Sequence, residues 1–125
     1  MMDTIHEILQ LHGYDTPQHM DTGDHITVTH EEDGMMPLTI EKIGDNRLSV
    51  AHYYTQRGDL MSDPEIVFTI TDDEEWTPVR YTQHPHIHQH NEAGLPDVAT
   101  FAKQWDQTLK TQGYIDEAQP HEVDA

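Results

Sequence analysis

Cysteine is absent from this chain. That excludes a disulfide framework, thiolate catalysis and cysteine-ligated zinc or iron–sulfur centres. Basic residues are nearly absent: Lys42, Lys103, Lys110, Arg47, Arg57 and Arg80 are all there are. Six cations cannot build a phosphate-neutralising stripe, so direct nucleic-acid binding is not expected. Long apolar runs are missing too, and nothing approaches the ~20 residues of a membrane helix. The N-terminus has no basic segment followed by an apolar one, as a secretory signal would. The expectation is a cytoplasmic protein with no membrane partner. Serine is confined to Ser49 and Ser62. There is no Gly-x-Ser-x-Gly elbow, no phosphate-binding glycine loop and no His-Glu-x-x-His helix. The sequence names no reaction and leans away from an enzyme.

What the chain does have is negative charge. Its 24 Asp and Glu residues against six Lys and Arg leave a formal net charge of −18 over 125 residues. Such a charge opposes compaction unless it is screened or bound. Many carboxylates with few lysines is the pattern of proteins from salt-accumulating cytoplasms. At ~1 M salt the Debye length shrinks to about 3 Å, and surface carboxylates no longer repel at range. A basic protein partner is the other route to neutralisation. The apolar fraction of 34% is lean but is spread through the middle of the chain, as in one small globular domain.

The patterning predicts an α+β fold. Ile5, Ile8, Leu9 and Leu11 fall at helical spacing, with Asp3 or Thr4 to cap the start and Gly13 to end it. Five strands follow, at 26–29, 38–43, 47–55, 65–71 and 76–83, with turns at 31–34, 44–46, 56–64 and 72–75. Leu38, Ile40 and Lys42 share one face, as do Leu48, Val50, His52 and Tyr54, and then Ile66, Phe68 and Ile70. Pro78 is best tolerated at a sheet edge. Short turns between strands imply hairpins and an antiparallel meander. Val98, Phe101, Ala102, Trp105 and Leu109 then predict a helix over 97–112, stopped by Gly113. The helices should cover one sheet face and leave the other wet. The domain is expected to span 1–115, with an acidic, mobile tail at 116–125.

Two segments carry potential chemistry. The first is His84-Pro85-His86-Ile87-His88-Gln89-His90. In an extended segment, residues two apart share a face, so His84, His86, His88 and His90 would line one side. Imidazole suits Zn or Ni, with His52, His25 or a carboxylate to complete the shell. The competing reading is a polar surface loop with no cofactor. There are eleven histidines, and with the reference imidazole value of ~6.5 acidification would be expected to erode the net charge.

The second segment is Gly58-Asp59-Leu60-Met61-Ser62-Asp63-Pro64-Glu65. Its carboxylates have a composition suited to Ca²⁺ or Mg²⁺, but not the spacing of an EF-hand. Its alternative role is a capped turn beside an interaction surface, with Gly58, Asp59, Met61, Asp63, Pro64 and Glu65 as the residues of interest. The aromatics Tyr53, Tyr54, Phe68, Trp76, Tyr81, Phe101 and Trp105 read as core, some of the tyrosines as the rim of a binding surface.

The run from Tyr53 to Phe68 resembles an uncharacterised domain-of-unknown-function family, of the DUF six-nine-zero-eight type, found on plasmids and integrative elements of bacteria and archaea. That family carries a Gly-Asp-Leu-Met-x-Asp-Pro-Glu core, matched here by 58–65. A Trp-x-Pro strand follows, matched by Trp76-Thr77-Pro78. A closing helix is matched by Phe101, Trp105, Leu109 and Gln112-Gly113. Arg57 stands where the family pattern has Asn, and the histidine run is richer than the pattern. The resemblance implies a mobile-element accessory protein and brings no activity with it.

Three functions stay open. One is a halophile-adapted accessory domain that binds a protein partner. The second is an acidic DNA mimic that occupies a basic DNA-handling protein. The third is a metal-binding protein or enzyme built on the histidines.

Overall fold

The computed structural model describes residues 2–29, 36–71, 75–83 and 87–118. Helix α1 (Asp3–Leu11) leads to a single 3₁₀ turn (Pro17–His19). The strands are β1 (His25–Val28), β2 (Leu38–Gly44), β3 (Arg47–Gln56), β4 (Asp59–Ile70), β5 (Trp76–Gln83) and β6 (Ile87–His90). Helices α2 (Pro96–Thr111) and α3 (Tyr114–Ala118) close the chain.

The strands form one antiparallel sheet in sequence order, β1-β2-β3-β4-β5-β6. This is the predicted α+β meander with one strand more than the five expected. The added strand is β6, the second half of the histidine run, paired from Arg80↔His90 to Gln83↔Ile87. Turn residues mark its start poorly, and all four of its residues are exposed. Only pairing with β5 identifies it as a strand.

The core lies between one sheet face and the three helices. Ile26, Val28, Leu38, Ile40, Leu48, Val50, Ile66, Phe68 and Ile70 supply the sheet side. Ile5, Ile8, Leu9, Val98, Ala102, Trp105, Leu109, Tyr114 and Ala118 supply the helix side. Each aliphatic side chain buried there contributes roughly 1.5–3 kcal/mol relative to exposure. The alternation on β2 and β4 falls on the faces predicted.

Lys42 follows that alternation inward. Its Nζ donates to the carbonyls of Pro17 at 2.8 Å and Met20 at 3.4 Å, tying the 3₁₀ turn to β2. Burial lowers its pKa from the ordinary lysine value, against a smaller opposing pull from Asp45 and Asp21.

Helix α1 is capped from outside its own segment. The Thr4 amide donates to Asp106 Oδ1 at 2.9 Å. Thr4 Oγ1 donates to the Asp106 carbonyl at 3.1 Å and to its Oδ2 at 3.2 Å. A carboxylate on α2 thus satisfies, at Thr4, one of the orphan donors that every helix start leaves.

Helix α2 begins with Pro96 in its first turn, where the missing N–H costs nothing. Pro78 is not on an outer strand, yet its surroundings resemble an edge. β6 pairs only with residues 80–83 of β5, and a register shift against β4 leaves Val79 as the extra residue beside it. The Pro78 and Val79 carbonyls instead accept from the amides of Leu95 and Asn91. The domain boundary expected at 115 falls inside α3, where Ala118 is buried. The rest of the expected tail lies outside the described residues.

Candidate functional site

The expected turn at 56–64 is mostly strand. The chain reverses at Arg57 and Gly58, with φ of +53° and +85°. Positive φ at both central residues is what a tight type I′ hairpin requires. Pairing then runs from Gln56↔Asp59 to Tyr53↔Ser62, and resumes at Ala51↔Glu65. Between those pairs β4 uses three steps where β3 uses two.

This bulge decides the site. In unbroken pairing, Asp63 and Glu65 would share a face. The extra residue turns Asp63 and Pro64 to the helix-covered side, opposite His52, and leaves Glu65 on the other. The Asp63–Pro64 peptide is cis.

Asp63 and Pro64 there form one wall of a cleft of about 280 Å³, shared with His52, Met36, Phe101, Trp105, Thr108, Gln112 and Tyr114. His52, Trp105 and Tyr114 are buried and make its floor. Phe101 and Asp63 are half-buried, and Thr108 is exposed at the rim. The His52 ring meets Trp105 edge-on at 5.4 Å between centroids and lies 5.4 Å from Tyr114. Phe101 stacks near-parallel on Trp105 at 6.1 Å.

Polar contacts hold these groups in place. His52 Nδ1 lies 3.1 Å from the Pro37 carbonyl, so Nδ1 carries the hydrogen and donates. Tyr114 Oη donates to the neighbouring Met36 carbonyl at 2.6 Å. The segment entering β2 is thereby clipped to the cleft floor. On β5, Tyr81 Oη donates to Gln83 Oε1 at 2.9 Å. Gln83 Nε2 in turn donates to Asp63 Oδ1 at 3.0 Å. This two-step chain fixes the carboxylate.

Burial lowers the His52 pKa below the ordinary histidine value. The bond to Pro37 and the charge of Asp63 oppose the shift but are smaller. His52 is therefore neutral at pH 7, with its lone pair on Nε2. Burial, then the Asp63 charge, raises the Tyr81 pKa. The cleft holds a neutral imidazole, an oriented carboxylate and aromatic rings. Among the described residues, its lining includes no lysine or arginine.

The other sheet face carries a separate polar set. Glu65 Oε2 accepts from Ser49 Oγ at 2.8 Å and Tyr53 Oη at 3.3 Å. Glu65 Oε1 lies 3.7 Å from Arg80. Burial, then the Glu65 charge, pushes the Tyr53 pKa up to about 12. Glu92 pairs with both Arg47 and His90.

The sequence-predicted site residues separate on this frame. His88 and His90 lie in register with Thr82 and Arg80, on the Glu65 face. His88 Nδ1 is 3.0 Å from Thr82 Oγ1, and His90 Nε2 is 3.1 Å from Glu92 Oε1. His52 is on the opposite face. His25 is on β1, the far edge of the sheet. Those two do not join His88 and His90. His84 and His86 lie outside the described residues. Among the described residues, no group of three His, Asp or Glu side chains is arranged to hold a metal.

In the second motif, Gly58 makes the turn and Met61 pairs with Tyr54. Asp59 opens β4, while Asp63 and Glu65 part to opposite faces. Sequence reasoning treated Phe101 and Trp105 as core and took His52 only as a spare ligand. The signal available was their i, i+4 spacing together with the inward phase of His52. What they face across the cleft was not legible.

A family model for a domain of unknown function, DUF6908, matches residues 3–115. No curated protein and no solved structure matches the chain. Among the described residues, no helix is long and apolar enough to cross a membrane.

Proposed function

We propose a function for this chain, which belongs to the DUF6908 family of domains of unknown function: it is a small non-enzymatic binding domain, adapted to a salt-rich cytoplasm, that takes a protein partner at the His52–Asp63 cleft. The observation that carries this reading is the β4 bulge. It delivers the Asp-Pro of the Gly-Asp-Leu-Met-x-Asp-Pro-Glu run into a recess walled by aromatics. Rigid aromatic surface beside one oriented polar group is how binding surfaces obtain both area and specificity.

Charge supports the salt half of the reading. Of the six cations, Lys42 is buried, and Arg47 and Arg80 face glutamates. Acidic side chains occur on α1, β2, β4, α2, α3 and the loops between them. That spread suits a solvation shell of carboxylates. A DNA mimic needs carboxylates in phosphate-like rows, and on the Glu65 face Arg47 and Arg80 interrupt them. An accessory role on a mobile element is the context that the family resemblance implies.

The test fills the recess. Thr108 sits at the rim, exposed on α2, and Thr108→Trp places an indole across the mouth. A partner captured from extracts of the source cells by the untagged wild-type chain is expected to be lost by this variant. Equal retention by both proteins sinks the cleft reading.

A further inference from the structure

We propose that the occupant of the cleft is an arginine side chain on a basic segment of the partner protein. The inference rests on the cleft being the binding site, and it adds the chemistry of what enters.

Asp63 carries the argument. Its carboxylate is half-buried at the cleft wall and held through Oδ1 by Gln83. No cation pairs with it among the described residues. Taking a carboxylate partly out of water is costly unless a counter-charge arrives. The rings of Phe101 and Trp105 line the same recess, and aromatic faces attract cations. Guanidinium answers both demands: it is planar, stacks on rings and forks onto a carboxylate. Ammonium satisfies the charge, but it has no plane to stack and no fixed fork of parallel N–H groups to match one carboxylate.

Size and field agree. The cleft, about 280 Å³, has room for a long side chain. Among the described residues no lysine or arginine in the lining repels a cation, and neutral His52 adds no opposing charge. The net charge of −18 draws basic segments toward the molecule before any contact is made.

The experiment titrates isotope-labelled full-length protein with three capped peptides, Gly-Arg-Gly, Gly-Lys-Gly and Gly-citrulline-Gly. It is run at the lowest KCl in which the chain is folded. Citrulline keeps the shape of arginine without its charge. Saturable shifts at the Trp105 indole and the His52 ring are expected with arginine. Lysine should bind more weakly, and citrulline about tenfold more weakly or worse. Asp63→Asn retains an acceptor for Gln83 and should cost arginine binding about tenfold. Asp45→Asn, on an exposed turn away from the cleft, should change it less than about twofold.

Equal shifts with arginine and citrulline would overturn the cation assignment while leaving the cleft as a binding site. An equal loss in Asp45→Asn would overturn it too, because diffuse charge would then be responsible. Silence at Trp105 and His52 with all three peptides would overturn the cleft reading itself. The citrulline comparison uses wild-type protein, so it stands even if Asp63→Asn does not fold.

Discussion

Asp106 shows how one side chain serves two helices. It sits on α2 and accepts from the amide and hydroxyl of Thr4 at the start of α1. Burial raises its pKa above the ordinary aspartate value, and the bonds from Thr4 pull the other way without cancelling the shift. A raised carboxylate pKa means that the folded state holds its proton more tightly than the unfolded one. The penalty of ionisation is absent below the unfolded value, ~3.8, and accrues as pH climbs through the raised folded value. Asp106→Ala leaves the Thr4 amide unpaired, while Thr4 Oγ1 keeps the residue-106 carbonyl, and should cost about 1–3 kcal/mol in urea melts. Asp106→Asn keeps the acceptor, can donate to Thr4 Oγ1 and removes the buried charge. It should be neutral or slightly stabilising at pH 7 and lose that advantage near pH 3. A large loss for Asn at pH 7 would show that the charge itself is needed.

Hairpins and bulges set the geometry at the scale of elements. The β3–β4 turn needs positive φ at two successive positions, and Gly58 meets the need at no cost. Arg57 does not: an L residue in the left-handed region is disfavoured by roughly 1–2 kcal/mol, and asparagine tolerates it best. Arg57 is exposed, so little packing is at stake. Arg57→Asn should stabilise the chain by about 1 kcal/mol, read as a raised urea midpoint with unchanged slope. An unchanged or lowered midpoint would mean that the guanidinium earns its place through a contact worth more than the turn strain. The β4 bulge has the opposite origin. No turn residue announces it, and its effect is to aim Asp63 and Glu65 at different faces.

At the scale of the molecule, charge outweighs any single contact. Among the described residues, most of the carboxylates are exposed, and few have a cation beside them. Their mutual repulsion is a whole-surface term that only ionic strength removes. The melting temperature should climb steeply between ~0.1 M and ~3 M KCl. A melt that is already high and flat at ~0.1 M would remove the salt-adaptation half of the proposed function. It would leave the acidic surface as the larger part of the binding site.

Composition and periodicity determined the rest of what could be read without coordinates. The exclusion of thiol chemistry follows from residue types alone. The antiparallel meander, the inward phase of Ile40, Val50, His52 and Phe68, and the α2 stripe follow from local period, which the chain carries in its own order. The tertiary structure decided what depends on residues distant in sequence. It made a strand of 87–90 by pairing it with β5, and placed Asp106 over Thr4. It turned Asp63 away from Glu65 and toward His52 and Trp105. Register is a property of two strands together. One extra residue in one of them reverses a face, and no periodicity within that strand alone contains the information.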